Sequence, residues 1–128
     1  MSTTKPGKIA LWTGRVLSAL PVLMMLGGAI YSLIKPAAVR EGFAQFGYPE
    51  RFFTAIIIVE IACVVLYVIP QTAVLGAILL TGYLGGAVAT HVRIADPAFF
   101  MPVLVGVIVW LGLFLREPRL RSLIPLRR

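Results

Sequence analysis

Four apolar stretches, at about residues 15–34, 52–69, 72–90 and 98–115, follow one another along the chain, separated by short polar or proline-containing segments. Each approaches the ~20 residues that a helix needs to cross the hydrocarbon core of a bilayer. The second, FFTAIIIVEIACVVLYVI, is rich enough in β-branched residues to suggest a strand. Lipid offers no hydrogen bonds to an open backbone, however, so all four stretches are predicted to be helices. Only Pro70 and Gln71 stand between the second and third, which makes that pair a tight antiparallel hairpin. The pattern predicts an all-α membrane fold, a four-transmembrane-helix bundle forming a single domain over residues 1–128.

Composition supports this reading. With 59% hydrophobic and 13% charged residues, a chain of 128 residues lacks the polar surface of a soluble domain and needs lipid around it. Lys5, Lys8 and Arg15 precede the first apolar run in the manner of a secretory signal. That run is too long for a signal core, and Lys35-Pro36 follows it in place of a small-residue cleavage site. Residues 1–14 are instead expected to be a short, basic, mobile tail.

Lys5, Lys8, Arg15, Arg116, Arg119, Arg121, Arg127 and Arg128 fall on one side of the predicted bundle, and Lys35, Arg40, Arg51 and Arg93 on the other. The basic excess is expected to put both termini in the cytoplasm. This topogenic bias accounts for the net charge of +7 without nucleic acid. The basic C-terminal tail, REPRLRSLIPLRR, is drawn to anionic lipid by about 1 kcal/mol per basic residue near the surface, or docks a cytoplasmic partner.

Chemistry narrows next. One cysteine, Cys63, and one histidine, His91, exclude an intrachain disulfide, a CxxC pair and a zinc cluster. No metal site is expected, no cofactor is expected from the chain alone, and Cys63 is read as a small packing residue. The chemically informative position is Glu60, in the middle of the second span. A charged residue at that depth costs roughly 2.5–3.5 kcal/mol to insert, so it tends to persist where it has a partner or a function. Counting outward from the hairpin sets Glu60 level with Thr81, with Tyr83 about 3 Å further on at 1.5 Å per residue. Thr81 and Tyr83 point nearly opposite ways, so one of them faces Glu60. On its own helix Glu60 shares a face with Phe53, Cys63 or Val64, and Tyr67.

The first span carries Pro21 and Gly27-Gly28, which allow bending and close approach. Gly76, Gly82, Gly85 and Gly86 leave the third span with little bulk, and Gly82-x-x-x-Gly86 has small-xxx-small spacing, so this helix is expected to be the central, closely packed one. In the connector from Lys35 to Arg51, Val39, Phe43 and Phe46 fall on one stripe of a short helix lying on the membrane surface. Gly47 ends it and Pro49 blocks its continuation. The connector is either an aromatic anchor or a lid over a site. Asp96 and Pro97 read as N-cap and first position of the fourth helix, Pro102 as a bend, and Trp110 as an interfacial ring.

At TGYLGGAVATHVR (81–93) the chain resembles the DoxX-like membrane proteins of bacteria. The likeness extends to GRVLSALPV (14–22), KPAAVREGFAQFGYP (35–49), Glu60 with LYVIPQTAVLGA (66–77), and WLGLFLREPRLRSLIPLR (110–127). It implies four helices and no cofactor motif in the chain itself. The family takes its name from a small subunit associated with a membrane thiosulfate:quinone oxidoreductase, so the resemblance also implies a quinone or other lipophilic ligand, or an oxidoreductase partner. Two departures stand out. Gln71 occupies a turn position that is often basic in relatives, and the segment from Asp96 to Pro102 is short and lacks histidine, which argues against a paired-histidine site at the mouth.

The candidate ligand-binding or proton-handling residues are therefore Glu60, Tyr83, Thr81, Tyr67, His91 and Arg93. His91, Arg93, Arg51 and Lys35 are expected at the outer rim, with Glu60 roughly 15 Å deeper by helical rise. Three functions fit. The bundle is a redox-associated binding subunit without independent catalysis, a small proton-coupled transporter of lipophilic compounds using Glu60, or an assembly factor with no ligand. It works alone, as a homo-oligomer or beside an oxidoreductase. The orientation has its own test: a fluorescent protein fused behind Arg128 is expected to fluoresce in the cytoplasm, and a dark but expressed fusion would reverse the topology.

Overall fold

The computed structural model describes residues 7–127; Lys5 and Arg128, counted in the charge asymmetry, lie outside the described residues. Helices account for nearly all of them: α1 (Lys8–Ile34), α2 (Pro36–Gln45), α3 (Phe53–Val68), α4 (Ala73–Arg93), α5 (Phe100–Arg116) and a single turn, α6 (Pro118–Arg121). No strand occurs among the described residues. The four segments Lys8–Ile34, Glu50–Val68, Pro70–Arg93 and Pro97–Arg116 are long and apolar enough to cross a membrane. α1 starts at Lys8, so 8–14, assigned above to the tail, belong to the first helix. The sequence reading misses these turns because Ile9–Trp12 form only a short apolar run between Lys8 and Arg15; the Arg15 guanidinium stacks over the Trp12 ring at 4.9 Å.

The spans form a closed ring in which α1 touches α3 and α5, and α4 touches α3 and α5. The start of α1, the end of α5 and the α3–α4 turn lie on one face, called here the terminal face, and α2 lies on the other. Between α3 and α4, Thr72 takes up a carbonyl left over at the end of α3, donating from Oγ1 to Leu66 O at 2.7 Å. Asp96 caps the Pro97–Phe99 turn that leads into α5, its Oδ1 accepting from the Ala98 amide at 2.9 Å. The main core, with Tyr67, Leu80, Val109 and Leu113 essentially sealed from the surround, runs between the spans; a smaller cluster of Ala29, Phe53 and Ile57 sits under α2. Cys63 is buried in the main core, as a packing residue should be.

Close helix packing is located differently from the reading above. A Cβ on Gly14 would stand 2.7 Å from Gly112 O, and one on Gly112 would stand 2.5 Å from Ser18 Oγ, so α1 and α5 cross backbone to backbone. A Cβ on Gly76 would collide with the backbone of Tyr67 in α3. At Gly82, Gly85 and Gly86 a Cβ meets nothing within 4 Å. The glycines of α4 thus divide: Gly76 packs, and the other three do not. α4 is not the tightest-packed member of the bundle, and the spacing that marks the α1–α5 crossing is Gly14-x-x-x-Ser18.

Gly112→Ala and Gly76→Ala are each expected to cost about 1–3 kcal/mol through overpacking. Gly85→Ala, meeting open space, is expected to be neutral or stabilising, because Ala is the better helix former. Thermal unfolding of the three variants in mild detergent checks the order.

Candidate functional site

α2 ends in a backbone reversal that only its sequence makes inexpensive. Gly47 takes φ +85°, Gly47 N donates to Ala44 O at 3.0 Å, and Tyr48 N donates to Phe43 O at 3.0 Å. This is the glycine-terminated helix end in which the two residues past the cap satisfy the last free carbonyls. Its consequence is to fold Tyr48 back beneath α2, beside Phe43, with ring centroids 5.5 Å apart. Phe43 in turn meets Phe53 of α3 edge-on at 5.3 Å, and Phe46 meets His91 of α4 at 4.9 Å. Arg93 fastens the same corner by donating to Phe46 O. The predicted Val39–Phe43–Phe46 stripe is therefore turned inward, onto α3 and α4.

Beneath this aromatic roof lies a cavity of about 320 Å³. Phe43, Phe46 and Tyr48 cover it, Ile56 of α3 forms one side, and Gly82, Tyr83, Gly86, Ala87, Thr90 and His91 of α4 form the other. Gly82 and Gly86 lend it volume, since any side chain there would project into open space. The small residues of this half of α4 thus make room rather than contact.

Glu60 approaches the cavity through one residue. Tyr83 Oη donates to Glu60 Oε2 at 3.1 Å, so of the two α4 candidates it is Tyr83 that faces the acid. Thr81 is directed toward α5: its hydroxyl donates to Ala77 O at 2.8 Å and accepts from the Trp110 indole at 2.6 Å. Trp110 consequently lies against α4. Tyr67 is also separate from Glu60. It is fully buried on the terminal side, with its hydroxyl 2.7 Å from Val109 O, to which it donates, and 3.0 Å from Ser18 Oγ.

The rim residues hold structure in place. His91 Nδ1 lies 2.7 Å from Ala87 O; a carbonyl only accepts, so Nδ1 carries the hydrogen. Its Nε2 stands 3.9 Å from Asp96 Oδ2. Of the four residues expected at the rim, His91 alone borders the cavity. Arg93 is committed to α2, Arg51 stacks over Phe52 at 5.0 Å, and Lys35 occupies the exposed corner between α1 and α2.

Tyr48 and Thr90 were not singled out above. Tyr48 Oη and Thr90 Oγ1 are 2.6 Å apart, and Thr90 Oγ1 also donates to Gly86 O at 2.8 Å. Thr90 has one hydroxyl hydrogen and spends it on Gly86, so Tyr48 is the donor in the first bond. The signal for Tyr48 is local, in FGYP: a glycine that reverses the chain immediately before an aromatic hydroxyl.

The arrangement is a mostly apolar cavity with two phenols on its walls. Each phenol gives its hydrogen to a protein acceptor, Tyr83 to Glu60 and Tyr48 to Thr90, and each is left with oxygen lone pairs for a ligand. Among the described residues no cluster of three or more His, Cys, Asp or Glu is placed to hold a metal ion. No curated protein and no solved structure matches the chain. The family model described as the DoxX-like family matches residues 16–112, a stretch that holds Glu60, Tyr83 and every residue around the cavity, and the chain belongs to that family.

Proposed function

We propose that this membrane protein is a binding module that holds a lipophilic ligand with a hydroxylated ring, of the quinol type, beneath α2 and presents it to an oxidoreductase partner. The observation that carries the reading is the Tyr83–Glu60 pair on the wall of the cavity. A site that is largely apolar with a few fixed polar groups is the usual form of a small-molecule pocket. Here Phe43, Phe46 and Ile56 suit a ring, while the Tyr48 and Tyr83 oxygens accept from a ligand that donates. A quinol has two hydroxyl donors and its quinone has none, so the pocket favours the reduced form. Glu60 acts as a positioning residue: it takes the Tyr83 hydrogen and thereby turns the phenol into an acceptor toward the cavity.

The expected outcomes separate pocket from scaffold. In mild detergent, a short-chain benzoquinol is expected to bind more tightly than its quinone by equilibrium titration. Tyr83→Phe removes one hydrogen bond, worth ~1 kcal/mol, and should weaken the quinol about fivefold. Gly86→Leu fills the cavity and should lower affinity by at least about tenfold, the loss expected when a buried ligand group is displaced. Gly85→Leu projects into the separate α4–α5 groove and should change nothing. Equal binding by Gly86→Leu and wild type would sink the reading. Native mass spectrometry of wild type and Glu60→Leu, which removes the acceptor for Tyr83, tests the remainder: ligand or oxidoreductase subunit retained by wild type alone supports it.

A further inference from the structure

The terminal half of the bundle holds a second polar group that the reading above does not use. Arg116, at the end of α5, is half-buried, and its guanidinium is fixed from three sides. Nε donates to Ser18 Oγ of α1 at 3.0 Å, Nη2 donates to Tyr67 O of α3 at 3.1 Å, and the guanidinium carbon lies 4.8 Å from the Tyr67 ring centroid. These bonds occupy two of the five N–H donors of an arginine. Among the described residues the ion pairs are Arg40–Glu50 and His91–Asp96, so no carboxylate balances Arg116. The adjacent acid, Glu117, accepts instead from the Arg119 amide at 3.2 Å.

The guanidinium opens on a cleft of about 250 Å³ between α1 and α3. Arg15 lies at the same end of the cleft, and Ala19, Val22 and Val68 line the rest. Along α1, which runs inward from the terminal face, the lining passes from Arg15 through Ser18 to the apolar Ala19 and Val22, while Val68, at the end of α3, flanks the cationic end. A ligand matching that sequence is anionic at one end and alkyl at the other. A basic pocket between spans, at the level of the headgroups, is the setting in which acidic phospholipids are recognised. Arginine is weakly hydrated and forks toward phosphate oxygens, which suits a partly buried phosphodiester better than lysine would.

We infer that the α1–α3 cleft is a binding site for one acidic phospholipid, its phosphate held by Arg116 and Arg15 beside Val68 and an acyl chain lying along Ala19 and Val22. The lipid supplies the counter-charge that the described residues do not, and it bridges three spans at the point where α1 and α5 cross. The site is independent of the cavity beneath α2.

Native mass spectrometry of the full chain, offered equimolar phosphatidylglycerol and phosphatidylcholine with matched acyl chains, tests the inference. Wild type is expected to retain one phosphatidylglycerol in preference to phosphatidylcholine by on the order of tenfold, the scale set by two basic residues near a lipid surface. Arg116→Gln should abolish the preference. Arg15→Gln, at an exposed side chain, should reduce it, and Val68→Trp should block the cleft with both cations intact; these two variants decide the matter if Arg116→Gln does not fold. Glu60→Gln should retain the lipid as wild type does. Equal retention of the two lipids overturns the inference, as does a preference unchanged by Arg15→Gln and Val68→Trp. Displacement of the bound lipid by millimolar glycerophosphoglycerol, which has the headgroup without acyl chains, would show a soluble-anion site and overturn it equally.

Discussion

The contact on which the molecule depends is the crossing of α1 and α5 at Gly14 and Gly112. In lipid no hydrophobic force draws helices together, because the acyl chains are as apolar as the side chains, so association rests on close van der Waals contact and on hydrogen bonds between spans. Gly14 and Gly112 let two backbones meet where a Cβ on either would stand 2.5–2.7 Å from an atom of the other helix. That proximity brings Ser18 of α1 within reach of Arg116 of α5 and Tyr67 of α3, and the three spans share one set of hydrogen bonds. Gly76 then seats α4 against Tyr67, closing the ring.

The same residue type does opposite work on the two sides of the membrane. Toward the terminal face, Gly14, Gly76 and Gly112 bring backbones into contact. Toward the face that carries α2, Gly82 and Gly86 border a cavity. Backbone contact at one end gives the cavity at the other a rigid support. The site's own roof is α2, a ten-residue helix held down by the Gly47 reversal, the Arg93 bond to Phe46, the Tyr48–Thr90 bond, the Arg40–Glu50 pair and its aromatic contacts.

The four spans, the short hairpin and the apolar stripe of α2 were readable from the sequence because each follows from one periodic property: apolar length, loop length, or a three-to-four-residue repeat; that the stripe turns inward onto α3 and α4 was not. The pairing of Glu60 with Tyr83 rather than Thr81 was half-readable. The hairpin fixes depth, but which face of α4 meets α3 depends on the whole ring of contacts. The glycines of α4 were misread for a related reason. Gly82-x-x-x-Gly86 and Gly14-x-x-x-Ser18 carry the same spacing, and spacing does not say whether a neighbour or a void lies opposite. Tyr67 went astray because it shares a helical face with Glu60 at an offset of seven, more than 10 Å along the helix axis at 1.5 Å per residue, far enough to reach a different partner set. Arg116 was counted as a topogenic charge, a property of position alone, whereas its hydrogen bonds to Ser18 and Tyr67 exist only once three spans have met.

Glu60 illustrates how a costly group is retained. A carboxyl within a span is tolerated where it is paired, and its partner here is a phenol that also borders a cavity. If Glu60 served packing alone, Tyr83 would have no need of a void beside it, and a larger residue in place of Gly82 or Gly86 would bury both groups more completely. The α4 sequence leaves that volume open with glycine at two positions one turn apart, at a cost of roughly 1 kcal/mol each in helix propensity relative to Ala. Retaining an acid in the span and a void beside its partner are two separate expenses against stability. The pairing with Tyr83 accounts for the first, and the ligand-binding reading proposed above would account for both.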